Sequence, residues 1–309
     1  MKKFLLPAMI AVAASTAPSA AADMMVKKAP MAAPAPAPTW DVAFGAIVMS
    51  DYNFRGVSQS NKGWSAGAYF EPQLFTPIGT FYAGVAGYGI NWPFNYGFTD
   101  PSAEIDLYGG WRNTWGAFSA DLGFLYYYYP KEQFTGTTNN SDFWEIYLKL
   151  AYAITPDLTI GGNVFYSPDI LNYSQSFNTF ANAGTGINGD AEAWYVSGTM
   201  KWVTPWKWGD LGAFVSGEYG HWFIEKAPFI AAGALQGTGW VDPSYSYWNA
   251  GIGLTYKALT LDFRYHGTDQ SALDCSSFLL VAVGNPSNSW CGDTFIFSVK
   301  ADTTLNALK

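Results

Sequence analysis

Strand parity picks out fourteen charged side chains as candidates for one shared face: Asp51, Arg55, Glu71, Glu104, Asp106, Arg112, Asp121, Glu145, Lys149, Lys201, Glu218, Asp262, Arg264 and Lys300. Side chains two apart on a strand share a face. If that face lines a narrow channel, the charges choose ions through their local field. The acids outnumber the bases in this set, so a modest cation preference is expected. In the competing reading, opposite charges pair across strands and brace a filled interior.

Two arginines stand out. Arg55 and Arg264 each follow an acid, Asp51 and Asp262, near the ends of the first and eleventh strands described below. They read either as a clamp on solute at the rim or as a salt-bridged latch near the seam of a closed sheet, and the latch is the simpler reading.

Hydrolytic chemistry has little to build on. The only histidines are His221 and His266. A serine nucleophile needs a base within reach and a third group to orient that base. Asp262 and Asp269 lie near His266, but no serine motif accompanies them, so no enzyme is expected. The polar segments lack the ordered ligand spacing of a calcium loop, and neither metal nor cofactor is expected. Cys275 and Cys291 are expected to pair in an exported chain, closing a loop worth about 3 kcal/mol by chain entropy.

The elements that must carry these groups are strands. Trp144, Ile146, Leu148, Leu150 and Tyr152 alternate with Phe143, Glu145, Tyr147, Lys149 and Ala151, an apolar face backed by a wetter one. Twelve such runs are expected at 41–56, 64–74, 80–91, 103–113, 117–129, 142–154, 158–167, 191–203, 211–221, 245–256, 259–267 and 293–301. Short turns rich in Pro, Gly, Asn and Asp alternate strictly with long polar connections. The fold expected is all-β, a 12-stranded antiparallel transmembrane barrel of the outer-membrane kind, which has short turns at one end and long loops at the other. Twelve strands enclose more room than side chains readily fill, so the charged face is placed inside. Either segment 177–188 or segment 229–239 is a candidate to fold inward as a constriction, against the plainer reading of a surface loop.

Composition agrees. Charged residues make up 13% and aromatics 18%, with 32 glycines, whereas about a quarter of a typical soluble domain is charged. Residues 1–22 read as a signal peptide: Lys2 and Lys3, an apolar stretch, then Ser19 to Ala22 as a small-residue cleavage site. Residues 23–39 read as a Pro/Ala-rich periplasmic linker, 40–301 as the barrel and 302–309 as a C-terminal tail. The acidic balance, −8, argues against nucleic acid. The expected partners are outer-membrane lipid and small solutes or ions.

Ser50 to Ser60, reading Ser-Asp-Tyr-Asn-Phe-Arg-Gly-Val-Ser-Gln-Ser, and Asp262 to Asp269, reading Asp-Phe-Arg-Tyr-His-Gly-Thr-Asp, resemble segments of the TorF family of porins of the Gram-negative outer membrane. The resemblance implies outer-membrane location and pore-like architecture. Trp290 to Phe297, with aromatics three and five residues after Gly292, is similar to the signal read by the barrel-assembly machinery, although the chain continues past it. The function expected is passive diffusion of small hydrophilic solutes. The alternatives are a non-conducting surface barrel and, third, a barrel phospholipase.

Overall fold

The computed structural model describes residues 38–92, 103–132, 140–172, 191–225, 227–229, 239–241, 244–270 and 290–309. The strands are β1 (Trp40–Met49), β2 (Asn53–Phe54), β3 (Val57–Ser58), β4 (Ser65–Thr76), β5 (Gly79–Gly89), β6 (Ala103–Trp115), β7 (Phe118–Tyr128), β8 (Phe143–Ala153), β9 (Leu158–Ser167), β10 (Ala193–Trp208), β11 (Leu211–Ile224), β12 (Ala227–Phe229), β13 (Gly239–Val241), β14 (Tyr245–Tyr256), β15 (Leu259–Thr268) and β16 (Thr294–Thr304). Twelve of them form one closed antiparallel barrel, shut where β1 pairs with β16 from Ala43–Thr304 to Met49–Ser298. β2–β3 and β12–β13 are separate two-stranded ribbons. Among the described residues no helix is long and apolar enough to cross a membrane.

Period-two alternation sets the two faces. On β8, Phe143, Glu145, Tyr147, Lys149 and Ala151 are buried inside, while Ile146, Leu148, Leu150 and Tyr152 are exposed outside. The same division runs round the wall, with Phe70, Leu74, Val85, Leu107, Leu122, Met200, Ile252 and Phe263 exposed on its outer surface. Water would meet a continuous apolar band there, far larger than a soluble surface tolerates. Lipid is the solvent such a band suits.

The core therefore lies inside the barrel, and tyrosine dominates it. Tyr69, Tyr82, Tyr88, Tyr108, Tyr127, Tyr147, Tyr195 and Tyr247 all point inward and are buried. Several lie flat over a glycine on the neighbouring strand. A Cβ at Gly220 would come within 2.5 Å of the Tyr195 hydroxyl, so this strand glycine provides space for a ring.

Among the boundaries that differ from those expected, three bear on the wall's construction. The first strand ends at Met49 instead of 56, because residues 50–63 leave the wall. β10 continues through the expected turn at 204 as far as Trp208, its register broken between Val203 and Lys207, where Pro205 cannot donate to the ladder. β16 runs to Thr304, and the Asn306 amide then donates to Asp41 at 3.0 Å, so part of the expected tail belongs to the wall.

Candidate functional site

The β1–β4 connection folds into the barrel mouth at the end where the long loops lie. Its tip is the β2–β3 ribbon, in which Phe54 pairs with Val57 across Arg55 and Gly56. Both turn residues have positive φ, 48° and 91°, as a two-residue type I′ hairpin requires. Asn53 Oδ1 accepts the Gly56 amide at 2.9 Å. At Gly56 a Cβ would also press on Thr268 and Tyr247 of the wall. The base of the loop is tied by Asp51, whose carboxylate accepts from Ser58 Oγ at 2.6 Å and Ser60 Oγ at 3.0 Å. Burial nevertheless pushes the Asp51 carboxyl above its usual range, against those bonds and nearby Lys62.

Arg55 ends up 1% exposed, deep among wall side chains. Nη1 and Nη2 donate to the two oxygens of Glu145 at 2.7 and 2.9 Å, the paired geometry that suits guanidinium and carboxylate. β8 stands five strands round the ring from β1, one short of diametrically opposite. Four ring faces surround the guanidinium carbon: Tyr195 at 4.3 Å, Trp222 at 4.6 Å, Phe54 at 4.7 Å and Phe165 at 4.8 Å. Tyr127 donates to Glu145 at 3.0 Å and Tyr195 to Glu218 at 2.8 Å.

Further contacts hold this inward-folded loop, residues 50–63, in place as a cork. Tyr52 and Tyr129 donate to the two oxygens of Glu104, at 2.5 and 2.9 Å. Trp92 Nε1 donates to Gln59 at 2.9 Å, and the Ser58 amide donates to the Trp290 carbonyl at 2.8 Å. Asp106 is fully buried beside this layer, and among the described residues neither of its oxygens has a hydrogen-bond partner.

Of the fourteen charged residues, twelve lie on barrel strands at inward positions. Asp51 and Arg55 share the expected inward parity but belong to the cork. Arg55 does not pair with Asp51: its partner is Glu145, across the lumen. Arg264 does pair with its preceding acid, Asp262, on its own strand, at 3.0 and 2.9 Å, and also donates to Asn249 and Ser216. Arg112 pairs with Glu71, and Asp121 accepts from Tyr82. Lys300 pairs with Asp302 at 2.9 Å. Lys149 and Lys201 each set their ammonium 4.3 Å from a ring centroid, of Tyr147 and Phe214 respectively.

Under the cork, along β1, β4, β15 and β16, is a cavity of about 250 Å³. Asp51, Asp262, Arg264, His266, Ser298 and Lys300 contribute to its lining. Reading the sequence alone missed Phe165, Tyr195 and Trp222. Their parity places them inward, but an aromatic residue in a strand reads first as lipid-facing wall. The segments expected to fold inward, 177–188 and 229–239, lie outside the described residues apart from Phe229 and Gly239, and it is the first connection that does so.

The histidines are separate. His266 is buried, with Nδ1 2.8 Å from the Tyr247 hydroxyl. His221 meets Ser246 Oγ at 3.0 Å on the outer side of the wall, and among the described residues no acid bonds to its ring. No group of three or more His, Cys, Asp or Glu among the described residues is arranged to hold a metal. Cys291 is buried, its Sγ 3.0 Å from Gln270 Oε1. Cys275, its expected partner, lies outside the described residues.

The family model described as "Bacterial protein of unknown function (Gcw_chp)" matches residues 33–244, more than half of the chain. The match does not itself carry the TorF name that the two segments suggest. No curated protein matches the sequence. Among solved structures the chain is similar to the outer membrane channel DcaP of Acinetobacter baumannii, with 8% identity, a TM-score of 0.37, and 85% of this chain and 96% of that one covered. It is also similar to a deletion mutant of the monoaromatic hydrocarbon channel TodX, with 12% identity, a TM-score of 0.37, and 87% and 90% covered. LpxR from Salmonella typhimurium matches at 7% identity with a TM-score of 0.38, covering 84% and 99%. At these identities and scores the likenesses carry no argument about function.

Proposed function

We propose that this chain, which belongs to the Gcw_chp family of bacterial proteins, is an outer-membrane barrel acting as a gated pore for small hydrophilic solutes. The conformation described is the closed one. The observation that carries this reading is the division of the lumen. Its long-loop end is shut by a connecting loop held through discrete polar contacts, while beneath it a charged cavity of about 250 Å³ remains. The apolar outer wall supports lipid as the surroundings, and the long loops then face outward. Passage needs no catalytic group, only release of residues 50–63 from the mouth.

The charge balance depends on that release. With Arg55 withdrawn, the described inward-facing charges near the mouth are Glu104, Asp106, Glu145 and Glu218 against Lys149. The cation preference expected from composition then belongs to the open state.

One observation favours a second reading, a permanently closed structural barrel: Arg55, Glu145, Tyr127 and Tyr195 are each 1% exposed. Liposome swelling separates the two. Met49 and Ser65 are cross-strand partners, so residues 50–64 can be replaced by a short Gly-rich hairpin. A gated pore passes a pentose rapidly in the shortened variant and slowly in the wild type. A structural barrel passes none in either.

A further inference from the structure

The groups around Arg55 form a cation receptor in their own right. Phe165 comes from β9, Tyr195 from β10 and Trp222 from β11, and Glu145 stands on β8. All four belong to the wall and stay when the loop leaves; only Phe54 travels with Arg55. The receptor is also pre-organised. Tyr127 steadies the Glu145 carboxylate at 3.0 Å and Glu218 holds the Tyr195 hydroxyl at 2.8 Å. Tyr195 packs against Phe165 and Trp222, with centroids 6.1 and 6.5 Å apart.

Aromatic faces attract cations and select those that shed water easily. The Glu145 carboxylate, whose two oxygens both accept from Arg55, adds paired acceptors for a planar guanidinium. Anions are refused, because they would meet negative ring faces and a carboxylate. We infer that this cage is a binding site for small organic cations bearing a guanidinium or alkylammonium group, occupied in the closed state by the chain's own Arg55. Arg55 is then a tethered stand-in for the solute, and a free cation competes with the cork for the same seat. The inference rests on the gated-pore reading only for access, since the loop must leave before a solute enters.

The test uses the mature chain folded in detergent micelles, with methylguanidinium and tetramethylammonium as probes in titration calorimetry. Arg55→Gly vacates the cage. Its folding is checked by the mobility of unheated protein on a denaturing gel, and the 50–64 replacement serves as a second vacated form. Saturable binding of one methylguanidinium per vacated barrel is expected, with at least tenfold weaker binding in wild type. Adding Trp222→Leu or Glu145→Gln to the vacated forms is expected to weaken binding at least tenfold again. Absence of cation binding in both vacated forms overturns the inference, as does binding that Trp222→Leu and Glu145→Gln leave unchanged. Because the readout is not conductance, binding without a pore removes only the pore reading. A pore without binding removes only the cage.

Discussion

Arg55 and Glu145, ninety positions apart in the chain, meet across the barrel mouth in a paired ion bridge that water does not reach. It ties a loop from the first strand to the opposite wall and closes one end of the lumen.

Breaking that bridge on one side strands a charge. Glu145→Gln leaves the Arg55 guanidinium buried without its counter-charge, and the loss of stability is expected to be about 3–5 kcal/mol. Replacing both partners, Arg55→Met with Glu145→Leu, is expected to recover most of it. Urea unfolding in lipid vesicles checks this, with Arg55→Met and Glu145→Leu measured singly to close a double-mutant cycle; additive losses would show that the two residues do not act as a pair.

A weaker handle is Tyr52, whose hydroxyl donates to Glu104. Tyr52→Phe removes one buried hydrogen bond and is expected to favour the released loop by about 1–3 kcal/mol. Limited trypsin digestion reports it. The bond after Arg55 is shielded in the wild type and is expected to be cut measurably faster in the variant.

Much of this barrel was legible in the sequence because lipid demands an apolar side chain at every second position. The parity of Glu71, Glu145 or Asp262 could be read directly, and the strict alternation of short and long connections ordered the twelve strands. The cork was not legible. Residues 51 and 55 keep the same parity as the strand before them, so the run reads as one long strand to position 56. The one local hint was Asn53 followed by Arg55-Gly56, a hairpin turn inside an apparent strand. Glu145 as partner, and Phe165, Tyr195 and Trp222 as neighbours, follow from the barrel's closure and register, which no local pattern encodes.

The outer connection between β7 and β8 carries a pH response. Burial raises the Glu132 carboxyl from 4.5 to about 7, outweighing the hydrogen bonds it accepts from the Ser141 side chain and amide, while Asp142 raises it further. Among the described residues its second oxygen has no hydrogen-bond partner, which suits the protonated form. A raised acid stabilises fully below about 4.5, and that contribution is lost as pH climbs through about 7. Exchange of the Ser141 amide, corrected for intrinsic rate, is expected to be slower at pH 5 than at pH 8. Glu132→Gln is expected to flatten that difference.

Gly220 offers a route to the cage that touches no charge. Gly220→Ala places a methyl where the Tyr195 ring lies, and such overpacking costs about 1–3 kcal/mol. A lowered unfolding midpoint is expected, restored in part by adding Tyr195→Leu. No restoration would mean that the ring and the glycine are not coupled.

Single-channel recording in planar bilayers tests the closed-pore account most directly, with wild type and Arg55→Ala compared in the same salt. The expected result is long closed periods with rare brief steps for the wild type. Arg55→Ala should show at least a tenfold higher open probability and a reversal potential on the cation side. Equal traces from the two proteins, whether both open or both silent, would contradict it.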